Sequence, residues 1–511
     1  MRLLNLAIFP QDTNKINFAK SSSLIRLCLG LILCHRFIDL CISSPINSTQ
    51  EFKHLIGLFL SFFTTIGFLT PIILPFSSLF NLFISYNLGG QITAITLILI
   101  FLGKGWRYVS IDSKLMSLYA LYSRFIRIFE IIDLRPEIAR TFCIWLWGGV
   151  CISAISFHFT DKSWLTGTAV MTLLRTPYLN DYYGFFTNLN DSFLLLLSSL
   201  SLYGMAIWEL ILWAIPGVRI IRNITFWWGI AFFISSIIFI NLSYLPYIEL
   251  IFWIGIYQPN FVAGFLSNKE KEYLNVEEKN SKLRSFIKKF LEKGLIFLGI
   301  LSILSINIGN LIHLYGNSRE VRIIGYKIKT NRFSAIGGRL FGQDDVNVFN
   351  QQDLMMNQYS TLICRINKNG TKNLVPFQDL NGGRLDYLAN DKFYYTNSLK
   401  FQRWSKGKTV QEIADLWLKL SMKVVEFDYH LNYKKGIDYY RILLLEHQPN
   451  YINDNVLAGW NVKKNPLVRK EIKVNSDSLL LSKVFRISLP PGHFNESSRI
   501  KRSSELYCDK D

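Results

Sequence analysis

Three ionisable residues inside one apolar run raise the question of chemistry: His35, Arg36 and Asp39. Their i, i+1, i+4 spacing puts Asp39 on the helical face of His35 and within reach of Arg36. A charge near the centre of a bilayer costs at least about 2.5–3.5 kcal/mol, so residues of this kind are normally paired or functional. Glu209 and Glu249 lie in two later apolar runs and offer Arg36 partners across a bundle. Two arrangements follow: a buried ion pair that fixes helix packing, or a ligand or ion cavity towards the outer side. Arg26, near the start of the same run, is expected to snorkel its guanidinium to the interface. No metal site is indicated. Cys28, Cys34, Cys41, Cys143 and Cys151 fall in or near apolar runs without a C-x-x-C pair, and the acidic residues of the C-terminal part are scattered. His430, His447 and His493 have no ligand spacing and are expected to be satisfied surface groups.

The elements that must hold these residues are hydrophobic helices. The chain has 511 residues, of which 50% are hydrophobic and only 18% charged, where soluble domains carry about a quarter. Nine apolar runs come near the roughly 20 residues that a helix needs to cross a bilayer: 24–42, 55–69, 72–88, 90–102, 141–157, 193–214, 224–240, 244–256 and 295–311. The fourth and eighth are short enough to be re-entrant or shielded. Polar sequence follows Leu314, which sets the main boundary between Ile312 and Glu320 and gives a membrane domain over 1–315.

Lys and Arg gather in alternate links: Lys15 with Lys20, the link 104–140, Arg219 with Arg222, and the link 269–293. Short basic links stay cytoplasmic. The N-terminus is therefore expected inside, and an odd number of spans delivers the C-terminal part to the extracytoplasmic side. This sorting also accounts for the net charge of +19 without nucleic acid. No apolar stretch precedes a small-residue cleavage site, so the first run is expected to be retained. In 114–132 apolar residues recur at helical spacing opposite Ser117, Arg124 and Arg127, the pattern of an amphipathic helix lying on the cytoplasmic interface or packing beneath the bundle. The aromatic outer link 158–191 reads as a lid.

The segment 316–490 has the pattern of a small, strand-rich α+β domain. Strands are expected at 321–328, 360–366, 439–445 and 479–489, with Asn369-Gly370 as a hairpin turn. Thr409 and Glu412 have capping-box spacing ahead of a helix over 410–427. The basic tail 491–511 is expected to be disordered. Cys364 and Cys508 either pair, if the domain faces an oxidising compartment, or remain free thiols.

Several short motifs resemble those of the horizontally transferred transmembrane (HTTM) domain family, the bacterial relatives of vitamin K-dependent gamma-carboxylase. Arg26, Leu29, Gly30 and Arg36 resemble its R-x-x-L-G…R opening. The stretch G-K-G-W-R-Y-V-S-I-D-S-K is similar to its segment ending in Ser-Leu-Asp, with Ser110, Ile111 and Asp112 in those places. The outer-loop stretch S-F-H-F-T-D-K-S-W-L-T-G-T-A-V resembles its Asp-Trp and Gly-Thr-Ala signature through Trp164, Gly167, Thr168 and Ala169. The resemblance covers most of the first 310 residues. It implies a helical membrane domain with an extracytoplasmic β-rich part, a vitamin K-like quinone as cofactor and a peptide or secreted protein as partner.

It also implies a catalytic Lys five residues before the loop Trp, and that place is Phe159. A phenyl ring accepts no proton. His158 and Lys162 are the nearest substitutes; a neutral His is a chemically competent base near pH 7, whereas Lys162 is expected to be solvated. The family's Trp-x-x-Phe signature falls at Val346 to Phe349 without its Trp. Three functions are compatible with these residues. The first is a non-carboxylating scaffold that binds lipid or peptide. The second is a membrane enzyme acting on a peptide with a quinone in an outer-leaflet cavity, and the third a transporter or export accessory.

Overall fold

A computed structural model describes residues 6–43, 49–84, 88–129, 132–266 (without 178, 181, 213 and 241), 282–343, 358–377 (without 376), scattered positions in 421–432, then 436–453, 456–462, 468–473 and Cys508. The chain forms two compact units, one of 1–160, 203–234 and 244–348, the other of 161–202, 235–243 and 349–511.

The first unit is helical. Its elements are α1 (Lys15–Ser43), α2 (Thr49–Ile66), α3 (Thr70–Ile84), α4 (Leu88–Leu102), α5 (Ile111–Leu118), α6 (Ala120–Ile128) and α7 (Pro136–His158). The second unit begins with the short helices α8 (Lys162–Leu165), α9 (Ala169–Leu174) and α10 (Tyr183–Thr187). It also holds most of α11 (Asp191–Ile207), which continues into a π-turn at Trp208–Leu212; the rest of the first unit is made by that turn, most of α12 (Arg219–Phe239), α13 (Leu245–Tyr257), α14 (Pro259–Ala263), α15 (Lys282–Tyr315), α16 (Arg319–Lys329) and α17 (Arg332–Phe341). Five stretches are long and apolar enough to cross a membrane: Lys15–Ile38, Pro136–His158, Asp191–Leu210, Arg219–Phe239 and Lys289–Tyr315. Four further apolar helices, Phe52–Ile66, Thr70–Ile84, Leu88–Leu102 and Leu245–Tyr257, are shorter. Helix α4 is buried at nearly every position from Gly90 to Leu102, so its neighbours, not lipid, surround it.

The centre of this unit is aromatic. Trp147 on α7, Trp208 on the π-turn and Trp253 on α13 lie 4.8–5.2 Å apart, ring to ring. The indole N–H groups of Trp208 and Trp253 donate to the Thr225 and Phe226 carbonyls, 3.1 Å each, which satisfies their polar ends inside an apolar core.

Two expectations are corrected here. The amphipathic segment 114–132 is not one helix: it breaks at Tyr119, whose extended backbone (φ −126°, ψ 111°) ends α5 before α6 begins. The expected strand 321–328 is α16. Ser318 caps it by accepting from the Val321 N–H at 3.3 Å, Glu320 stands in its first turn, and Lys327 and Lys329 in its last, as the helix dipole favours. Helices α16 and α17 pack on α15, so the helical unit continues at least to Phe341.

In the second unit five antiparallel strands make one sheet: β1 (Gln358–Asn367), β2 (Lys372–Leu374), β3 (Ile437–Asn453), β4 (Val456–Val462) and β5 (Val468–Lys473). The 17-residue β3 is central; it pairs along one side with β1, while β5 and β4 take its first and second halves. The β1–β2 turn is the expected one at Asn369-Gly370, where Gly370 takes φ +81°, a left-handed conformation that costs glycine little. One face of the sheet carries Ile363, Tyr440 and Ile442 under Val424 and Val425. The other carries Leu362, Cys364, Ile366, Leu443 and Leu445. Cys364 is joined to Cys508 by a disulfide. Strand β4 runs alongside α9. Thr409, Glu412, Val346 to Phe349, His430, His493, the run 479–489 and the tail other than Cys508 lie outside the described residues, as does the side chain of Asp39.

Candidate functional site

Arg26 does not snorkel. It is fully buried on α1, and all its donors go to backbone: Nε to the Gly105 carbonyl at 2.8 Å, Nη1 to Thr64 and Thr65 at 2.5 and 2.6 Å, Nη2 to Val109 at 2.5 Å. The Thr64 and Thr65 carbonyls belong to the C-terminal turn of α2, where a cation also meets the negative end of the helix dipole. Asp112 does the converse at α3, accepting from the Leu69 and Thr70 N–H groups at 2.8 Å each and from the Tyr122 hydroxyl at 2.5 Å. Between them Gly67 turns the chain at φ +69°, and a β-carbon there would come 2.4 Å from Ser110 Cβ and 2.8 Å from Arg26 Cζ. Ser110 caps α5, and Gly30 packs against Thr65. Four of the motif residues, Arg26, Gly30, Ser110 and Asp112, are thus gathered around the α2–α3 turn, and each is spent on fixing it.

The outer-loop motif is likewise structural. Thr168 Oγ1 donates to the Ser163 carbonyl at 3.2 Å, the Gly167 carbonyl accepts from Ser198 on α11, and Trp164 lies in α8. Asp161 caps α8 through the Ser163 N–H at 2.9 Å. Lys162 is exposed, as expected, and Phe159 is 42% exposed after a buried His158 at the end of α7.

Within the bundle, His35 Nδ1 meets the Tyr244 hydroxyl at 2.6 Å. Arg36 is buried, donates to Asn81 on α3 at 3.2 Å, and lies over the Phe37 ring. Glu209 is carried by the π-turn after α11, a local widening often found at functional positions, and accepts the thiol of Cys151 on α7. Glu249 on α13 is buried within electrostatic range of Glu209. The two carboxyl groups are therefore brought within electrostatic range of one another and of Cys151. Among the described residues no group of His, Cys, Asp and Glu is arranged to hold a metal ion.

A second polar knot had no signal in the sequence. Asp12, ahead of α1, binds Arg140 at the start of α7 at 2.5 Å and Arg222 at the start of α12 at 3.1 Å, while Asn260 donates to its carbonyl at 2.6 Å. Burial pushes the Asp12 carboxyl up, but Arg140 and Arg222 outweigh it and hold it below its ordinary value. Asp133 makes a similar junction, 2.9 Å from Lys15 and 2.6 Å from Lys104, with its N–H donating to Glu292.

On the sheet, Asp428 receives Arg365 at 2.9 and 3.0 Å and the Tyr440 hydroxyl at 2.7 Å, all buried. His447 is not a surface group. It is 1% exposed, and its Nε2 meets Ser360 Oγ at 2.6 Å across the β1–β3 pair. Burial lowers its pKa to about 4. The unfolded chain protonates His447 near its ordinary 6.5 while the fold resists until about 4. Its stabilisation is therefore full above pH 6.5 and drains away as pH falls through that window, by about 1.4 kcal/mol per unit. Hydrogen exchange at the β1 and β3 amides is expected to accelerate steeply from pH 6.5 to 4.5 after correction for intrinsic rates. His447→Gln, with no titrating ring, is expected to flatten that dependence; an unchanged slope would refute the assignment.

The described fold is that of a mostly helical protein with apolar helices of membrane-crossing length and a small antiparallel sheet. Comparison with protein-family models, curated proteins and solved structures found no match.

Proposed function

We propose that the chain is a multi-pass membrane protein of about nine spans that works as a non-carboxylating scaffold for lipid or peptide, with an HTTM-like bundle and an extracytoplasmic sheet domain. The observation that carries the reading is the use made of the motif residues. Arg26, Ser110, Asp112, Gly167 and Thr168 are committed to turns and helix ends, and a phenyl ring stands where a carboxylase needs its base. The bundle keeps the family's frame without the group that would deprotonate a quinone.

Four contacts support the topology. The Asp12 and Asp133 junctions draw together the starts of α1, α7, α12 and α15 with the ends of α4 and α13, as alternating spans require. The Cys364–Cys508 bridge suits an oxidising, extracytoplasmic compartment. The run of β4 beside α9 keeps the sheet with the link that follows α7, which is the outer link when the N-terminus is inside.

Purified protein in detergent is expected to show no hydroquinone-dependent incorporation of CO2 into Glu-containing peptides and to retain lipid through purification. Turnover that disappears in His158→Ala would overturn the scaffold reading in favour of the quinone enzyme. Protease added to intact cells is expected to cleave beyond Glu320; cleavage there only in inverted vesicles would reverse the topology.

A further inference from the structure

We propose that the helical hairpin α16–α17 is a binding surface for the headgroups of anionic phospholipids in the leaflet where α15 ends. The hairpin is held on α15 by close backbone approach: a β-carbon at Gly325 would lie 2.3 Å from the His313 N atom, and one at Gly309 would lie 2.5 Å from the Lys329 N atom. Helix α16 thus runs back antiparallel along the last turns of α15, and α17 continues past Ser302, which its Gly337 touches. With 34 residues, α15 is about 51 Å long and outruns a hydrocarbon core of about 30 Å. Its apolar stretch is Lys289–Tyr315, so the excess length lies at its N-terminal end, and the α15–α16 turn with the first turn of α16, carrying Arg319 and Arg322, meets the headgroup layer, towards which the long cationic side chains further along the hairpin extend.

The outward surface has the composition of an interfacial element. Residues 319–341 carry six cations, Arg319, Arg322, Lys327, Lys329, Arg332 and Arg339, against the single anion Glu320. Ile324, Tyr326, Phe333 and Leu340 stand exposed beside them. Exposed apolar and cationic side chains on one short helical pair suit insertion at the acyl–headgroup boundary, with phosphate oxygens meeting the cations. The charge ratio selects anionic over zwitterionic headgroups. Arg322 and Lys329 also brace the hairpin, through the Gly316 carbonyl at 2.9 Å and the Phe157 ring, which leaves Arg319, Lys327 and Arg332 as cations that can be neutralised without loosening it.

The test is native mass spectrometry of the full chain in detergent, titrated separately with phosphatidylglycerol and phosphatidylcholine. Phosphatidylglycerol is expected to bind at least tenfold more tightly. The triple variant Arg319→Gln, Lys327→Gln, Arg332→Gln is expected to lose that preference at least tenfold, and Arg319→Lys, Arg332→Lys to retain it. Should the triple variant fail to fold, the wild-type preference must still collapse at 1 M salt, where the screening length is about 3 Å. Equal binding of the two lipids overturns the proposal, as does a folded triple variant that binds like wild type, or displacement of phosphatidylglycerol by polyglutamate at equal charge. The inference rests only on α15 lying in a bilayer. Failure of that premise is distinguishable, because neither lipid would then associate.

Discussion

Arg26→Ala is expected to destabilise the helical unit by about 3–5 kcal/mol, the range for removing one partner from a buried charged network. The side chain satisfies four backbone carbonyl contacts with no access to water. Truncation would leave those acceptors buried and Asp112 without its cation. Arg26→Lys is expected to recover less than half of the loss, because an ammonium with three donors cannot span carbonyls that the planar guanidinium reaches on three of its edges. Asp112→Ala is expected to cost a similar amount, and the double variant less than the sum of the two, since both act on the α2–α3 turn. Unfolding in detergent followed by tryptophan fluorescence measures all four. A loss below about 1 kcal/mol for Arg26→Ala would mean that the turn does not depend on this network.

What the sequence revealed and concealed follows from the range of each interaction. The nine apolar runs correspond to the five longer and four shorter apolar helices, because hydrophobicity is a local property. The Asn369-Gly370 hairpin was legible for the same reason. Helix α16 was not: V-R-I-I-G-Y-K-I satisfies alternation and helical spacing alike, and contact with α15 decides between them. The α5–α6 break at Tyr119 has no Gly or Pro to announce it. Pairings between distant positions left no trace at all. Asp12 and Arg140 are 128 residues apart, and Ser360 and His447 are 87 apart, so a burial that depends on strand pairing made His447 look like a surface residue. Arg26 was recognised as a motif residue, but a motif does not say whether it binds a ligand or holds a turn.

Cys364→Ser and Cys508→Ser are each expected to destabilise the sheet domain by about 5 kcal/mol, the loop-closure value for cysteines separated by 144 residues. Cys364 lies between Leu362 and Ile366 on a buried face of the sheet, and Cys508 is buried against that face, so removing either thiol frees the chain end that helps to cover it. The two single variants and the double variant are expected to be equally unstable, because one bond is lost in each. Hydrogen exchange of β1 and β3 amides reads the effect in the full chain. Alkylation of denatured protein isolated from cells provides the decisive control: both thiols are expected to be blocked until a reductant is added, while Cys143 and Cys151 react at once. Since thiols on the cytosolic side stay reduced, free Cys364 and Cys508 in that assay would remove both the bridge and a principal support for the extracytoplasmic sheet. Blocked thiols combined with protease cleavage on intact cells would establish both.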